Sequence, residues 1–137
     1  MKSLVALSLF LLSAAGVYAI SADPRDAFVG KWEGESKCVD FVAAPNCHDE
    51  HVIYTVKKSA KGKLDLIVDA DKVVEGKPQN MGTLDFFVNP KLKTITNEFA
   101  KGTWELVLTG DAMNGTLTLK PSGKIVRRVK VDRVKAE

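Results

Sequence analysis

The sequence predicts an all-β protein, an eight-stranded antiparallel up-and-down β-barrel, and three observations carry that reading. Apolar and polar residues alternate with a period of two over residues 28–134. The alternating segments are separated by short turns such as Asn89-Pro90, Gly110-Asp111 and Pro121-Ser122-Gly123. No stretch repeats apolar residues at the spacing an amphipathic helix needs. Short connections make consecutive strands antiparallel neighbours, and closing the sheet removes the free edges on which sheets aggregate. A two-sheet sandwich would use the same strands, so closure is an expectation for the structure to decide.

Each strand follows from its pattern. Residues 28–38 place Phe28, Gly30, Trp32, Gly34, Ser36 and Cys38 on one face and Lys31, Glu33, Glu35 and Lys37 on the other. Residues 50–58 follow, with Val52, Tyr54 and Val56 inward. After the Gly62 turn, residues 63–74 set Leu64, Leu66, Val68 and Ala70 against Asp65 and Asp69. Residues 82–88 present Leu84, Phe86 and Val88, and Pro90 ends that strand because it cannot donate to a ladder. A short fifth strand covers 93–99. A sixth over 103–109 points Trp104, Leu106 and Leu108 inward, a seventh over 113–120 presents Leu117 and Leu119, and an eighth covers 124–134.

The N-terminus reads as an export signal. Lys2 supplies positive charge, residues 4–12 form an apolar run, and Val17-Tyr18-Ala19 or Ile20-Ser21-Ala22 offers a cleavage site. Residues 1–22 are therefore expected to be a cleaved signal peptide, with cleavage after Ala19 or Ala22. Residues 23–137 are expected to form one domain, with 21–27 as its only linker. The run is shorter than a comfortable membrane span, so no stable membrane insertion is expected. Lys+Arg total 20 and Asp+Glu 17, and losing Lys2 lowers the net charge from +3 to +2, too weak and mixed a balance for nucleic acid. Cys38 and Cys47 would then lie in an oxidising compartment, secreted or periplasmic, where an even count argues for a disulfide across a short loop.

Gly30-Lys31-Trp32, directly after Phe28-Val29, resembles the Gly-x-Trp opening of the calycins, which include the lipocalins, fatty-acid-binding proteins and avidins. The resemblance extends to short exported bacterial lipocalin-like proteins. It is carried by Gly-x-Trp-x-Gly-x-Ser-x-Cys at 30–38, Cys-His-Asp-Glu at 47–50, Ala-Asp-Lys-Val-Val at 70–74, Met-Gly-Thr-Leu-Asp-Phe at 81–86 and Met-x-Gly-Thr-Leu at 113–117. It implies a lipocalin-like barrel whose Trp32 closes one end beneath an arginine of the last strand, which supplies Arg127, Arg128 and Arg133. It does not imply a ligand. The Arg-x-Tyr lipid clamp is absent, a disulfide loop stands where fatty-acid-binding proteins carry a helical lid, and no C-terminal helix is expected.

Arg127 is the most conspicuous candidate for a site, because it shares a face with Ile125, Val129 and Val131, and a charge there needs a partner. That partner could be a ligand carboxylate or Glu50, Tyr54 or a tryptophan face. An arginine satisfied by protein groups is favoured, and a bulge would exchange Arg127 with Arg128. Gly34 and Ser36, small beside Trp32, leave space either for a ligand or for an opposing side chain. The Leu, Val and Phe content elsewhere favours a filled core. Candidate ligand-binding residues are Arg127, Trp32, Ser36, Tyr54 and Trp104. His48, Glu50 and His51 are weak candidates for a metal, because strand alternation leaves each face two ligands where zinc needs three or four, so neither metal nor cofactor is expected.

Three function classes remain. The first is a binder of a small apolar or carboxylate-bearing molecule in the barrel. The second is a protein-binding module, such as an inhibitor of an extracellular protease or lysozyme, working through the N-terminal arm or the loops. The third, an enzyme, has no nucleophile elbow or comparable signature to support it. A monomer is expected.

Overall fold

The computed structural model describes residues 21–136. The eight strands are β1 (Gly30–Cys38), β2 (Glu50–Lys58), β3 (Asp65–Val74), β4 (Lys77–Asn89), β5 (Thr94–Phe99), β6 (Gly102–Thr109), β7 (Ala112–Leu119) and β8 (Ile125–Arg133). They pair antiparallel in chain order, and β8 returns to β1, so the sheet is a closed barrel and not a sandwich. Residues 1–20, the core of the expected export signal, lie outside the described residues. Among the described residues no helix is long and apolar enough to cross a membrane.

The period-two pattern becomes the inside and outside of the barrel. Trp32, Val52, Val56, Leu66, Val68, Val88, Ile95, Leu106, Met113, Val129 and Val131 are all buried in one core. The largest departure from expectation is β4, which begins at Lys77 and not near residue 82. Glu75 and Gly76 both take positive φ, 50° and 74°, the turn that joins two strands in a tight hairpin. This lets β3 and β4 stay paired out to Val74 and Lys77. Residues 77–81 are exposed, so their sequence lacks the half-buried alternation that marks a strand. Met81 is the extra residue of a bulge, since Ala70 faces Gly82 while Asp71 faces Asn80. β4 meets β5 through only three residue pairs, Phe87–Thr96, Val88–Ile95 and Asn89–Thr94. Beyond them Asn97 Nδ2 spans the seam to the Asp85 carbonyl at 2.8 Å.

Segment 21–27, expected as a linker, instead begins the floor of the barrel. Turns over residues 24–28 bury Phe28, and Arg25 donates to the carbonyls of Gly62 at 2.9 Å, Ser59 at 3.1 Å and Asp65 at 3.3 Å. The Arg25 guanidinium, bonded to Asp23, holds that carboxyl well below the usual carboxylate range, with Lys58 assisting. The N-terminal arm is therefore held against the barrel through Arg25.

Above the arm, Trp32 is fully buried and donates its indole N–H to the Phe28 carbonyl at 2.8 Å. Arg133 lies over its ring at 4.2 Å from the centroid. Arg133 also donates to the carbonyls of Ala27 at 2.6 Å and Val29 at 2.9 Å. Of the three arginines in the last strand, Arg133 is the one opposite Trp32 in the β1–β8 register. This end of the barrel is shut.

Candidate functional site

The other half of the barrel is not filled. A cavity of about 300 Å³ lies inside it, bounded by β1, β2, β3, β4, β6 and β8. The expectation of a filled core fails because filling depends on barrel radius as well as on apolar content. Below the cavity Trp32 occupies the interior, whereas at its level the inward residues include Ser36, Ala70 and Gly82.

The lining is divided by strand. Val68 and Ala70 from β3, Leu84 and Phe86 from β4, and Trp104 and Leu106 from β6 form an apolar wall. Opposite it, three adjacent strands contribute Ser36 (β1), Glu50 and Tyr54 (β2), and Arg127 (β8). Register explains the grouping. Ser36 pairs directly with Glu50, and Arg127 pairs with Cys38, two residues from Ser36 on the same face. Met81 and Leu84, 43% and 36% exposed, lie on the side of the cavity open to solvent.

Arg127 faces inward and Arg128 outward. The bulge between them and the turn falls at Val126, since Leu117 pairs with Arg127 and Thr118 with Ile125. Arg127 Nη1 donates to Ser36 Oγ at 2.9 Å and lies 3.3 Å from Glu50 Oε2, and Nη2 donates to the His48 carbonyl at 2.8 Å. Protein groups thus engage both terminal nitrogens of the guanidinium. Burial, followed by a smaller contribution from Glu50, pushes the Tyr54 phenol up to about 12, while Arg127 pulls the other way. The hydroxyl is neutral at any physiological pH.

Ser36, Tyr54, Trp104 and Arg127 are brought together around this space, and Trp32 is not. Trp32 lies at the shut end beneath Arg133, away from the cavity, because its β1 position is four residues before Ser36. Gly34 also has a different reason from the one expected. A Cβ there would meet Lys130 O at 2.1 Å and the Val131 Cα at 2.8 Å, so its size lets β8 approach β1 and leaves no room for a ligand. The side chains of 48–51 diverge. Glu50 points to Arg127, His51 pairs with Glu33 outside at 2.7 Å, and Asp49 Oδ1 accepts from the Cys38 N–H at 2.8 Å. Among the described residues no three such side chains are placed to hold a metal ion.

The Cys38–Cys47 disulfide closes the β1–β2 loop, with Cys47 beside the residue whose carbonyl holds Arg127. It fits an oxidising, extracytoplasmic setting. On this loop Phe41 and Val42 are 60% and 89% exposed.

A closed eight-stranded up-and-down barrel, plugged at one end by tryptophan under arginine and hollow at the other, has the lipocalin-like barrel fold. Among solved structures, the chain is similar to the siderocalin Ex-FABP, described as functioning through dual ligand specificities. The TM-score is 0.53 at 15% identity, over 81% of this chain and 77% of that one. Zebrafish ileal bile acid-binding protein complexed with cholic acid aligns at TM-score 0.41 and 18% identity, over 79% of this chain and 99% of that one. At such identities the first likeness establishes the fold. No protein-family model matches the chain, and no curated protein matches it in sequence.

Proposed function

We propose that this protein is an exported, non-enzymatic carrier that holds one small, largely apolar molecule in the upper half of its barrel. In this reading residues 1–22 are a signal peptide and residues 23–137 act in the secreted or periplasmic space as a monomer. The observation that carries the reading is the cavity of about 300 Å³, apolar on one wall and polar on the other. That is the composition of a small-molecule site, in which apolar lining supplies affinity and a few polar groups fix orientation. Trp104, Leu106 and Phe86 would contact the apolar body, and Ser36, Tyr54 and the Arg127–Glu50 pair the polar end. The fold likeness to a ligand-binding siderocalin agrees with this reading, but the reading rests on the cavity of this chain.

The test is titration with the uncharged apolar fluorophore N-phenyl-1-naphthylamine, comparing the wild type with Ala70→Phe. Ala70 lines the cavity, and the larger side chain would occupy it. Saturable enhancement in the wild type, lost in a variant with an unchanged thermal melt, is expected. Equal enhancement in both would place the fluorophore elsewhere and contradict the proposal.

A further inference from the structure

The polar wall of the cavity carries both signs of charge. Arg127 Nη1 is 3.3 Å from Glu50 Oε2, and their side chains retain only 14% and 23% exposure. Both terminal nitrogens of Arg127 are already engaged, Nη1 by Ser36 and Glu50 and Nη2 by the His48 carbonyl. A guanidinium grips a carboxylate best through two parallel N–H bonds from one free edge. The edge between Nη1 and Nη2 is occupied here, which leaves only the Nε side for such a grip. A ligand carboxylate brought to Arg127 would also lie beside the carboxylate of Glu50, and like charges at close range in a partly desolvated wall repel. A ligand ammonium would meet the opposite difficulty at Arg127. The remaining polar groups of the wall, the hydroxyls of Ser36 and Tyr54, are neutral and can both donate and accept.

Resting on the cavity reading above, we propose that this barrel selects ligands whose polar end is uncharged, a hydroxyl, amide or ester carbonyl, and that Glu50 is the residue that excludes carboxylates. Selection here works by repulsion of the wrong partner as much as by attraction of the right one. Glu50 neutralises Arg127 and so turns a position suited to an anion into a wall with no net charge. This also gives a reason for an inward acidic residue directly opposite Ser36 in a face otherwise built from Val52, Tyr54 and Val56.

The test is calorimetric titration of the mature protein with n-decanol and n-decanoate at neutral pH, in the wild type and in Glu50→Gln. The wild type is expected to bind n-decanol tighter by about tenfold or more, and Glu50→Gln to move the ratio toward n-decanoate by about tenfold. Alkanol partitions into any apolar space better than alkanoate, so the change in ratio, not the ratio alone, identifies Glu50. Should Glu50→Gln fail to fold, Glu50→Ala is expected to give the same shift. Wild-type protein that binds n-decanoate as tightly as n-decanol would overturn the inference and leave the cavity reading standing. An unchanged ratio in the folded variant would overturn the role of Glu50. Binding of neither compound to the wild type would overturn the cavity reading itself.

Discussion

Arg133 stacks on Trp32 across the β1–β8 pair, its guanidinium carbon 4.2 Å from the centre of the indole. The contact joins the first and last strands at the point where the barrel closes. It also hides the largest apolar side chain of the core beneath a charge that is itself bonded to Ala27, Val29 and Asp111. Trp32→Ala would therefore lose both the plug and the seat of Arg133. A loss of about 3–5 kcal/mol is expected in a denaturant melt, the usual cost of removing a buried aromatic side chain. A loss below about 1 kcal/mol would mean that Trp32 does not close the barrel.

Gly34→Ala tests the close approach of the same two strands. Its new Cβ would fall 2.1 Å from the Lys130 carbonyl oxygen, which is backbone and cannot swing aside. The strands must part locally, and overpacking of this kind costs roughly 1–3 kcal/mol. The same substitution at an unobstructed strand position would cost nothing, so a neutral melting temperature would show that β8 does not lie so near.

The disulfide acts on stability and on the site together. Replacing Cys38 and Cys47 by serine releases a loop spanned by a sequence separation of 9. Chain entropy for a loop of that size gives about 3 kcal/mol. The site effect is separate. Cys47 precedes His48, whose carbonyl holds Arg127, so the reduced loop is expected to loosen that contact and weaken ligand binding in protein that is still folded. Binding unchanged in the folded double variant would show that the loop does not position Arg127.

Tyr54 predicts an alkaline signature. Its phenol, raised to about 12 by burial, ionises later in the folded chain than in the unfolded one, where the value is near 10. The folded state therefore holds more protons over that interval, so stability is full below about pH 10 and falls as pH rises toward about 12. The contribution from this group is roughly 2–3 kcal/mol. In protein prepared as residues 23–137, Tyr54 is the one tyrosine, and phenolate absorbance reports it alone. A midpoint near the ordinary phenol value would mean that Tyr54 is solvated.

The fold was largely legible because it depends on alternation, which is local. Trp32 and Val52 could be assigned to the interior from their neighbours alone, and the spacing of Cys38 and Cys47 suited a short loop. Less legible were features set by distance between strands. Gly34 was readable as small, but not as crowded by Lys130. Residues 77–81 form a strand because β3 pairs with them, though their side chains are exposed. The cavity follows from barrel radius and from where Trp32 stops, neither of which is written in a single strand. Arg127, Ser36, Tyr54 and Trp104 could be named beforehand. Met81 could not, since only the bulge brings it to the rim.

The most direct test of the central claim is native mass spectrometry of the protein purified from its own cells and then exposed to n-decanol. A complex of one protein with one small molecule is predicted, either carried from the cell or formed with n-decanol, and absent in folded Ala70→Phe. Bare protein under both conditions, or the same complex with folded Ala70→Phe, would contradict the claim that the hollow half of this barrel is a binding site.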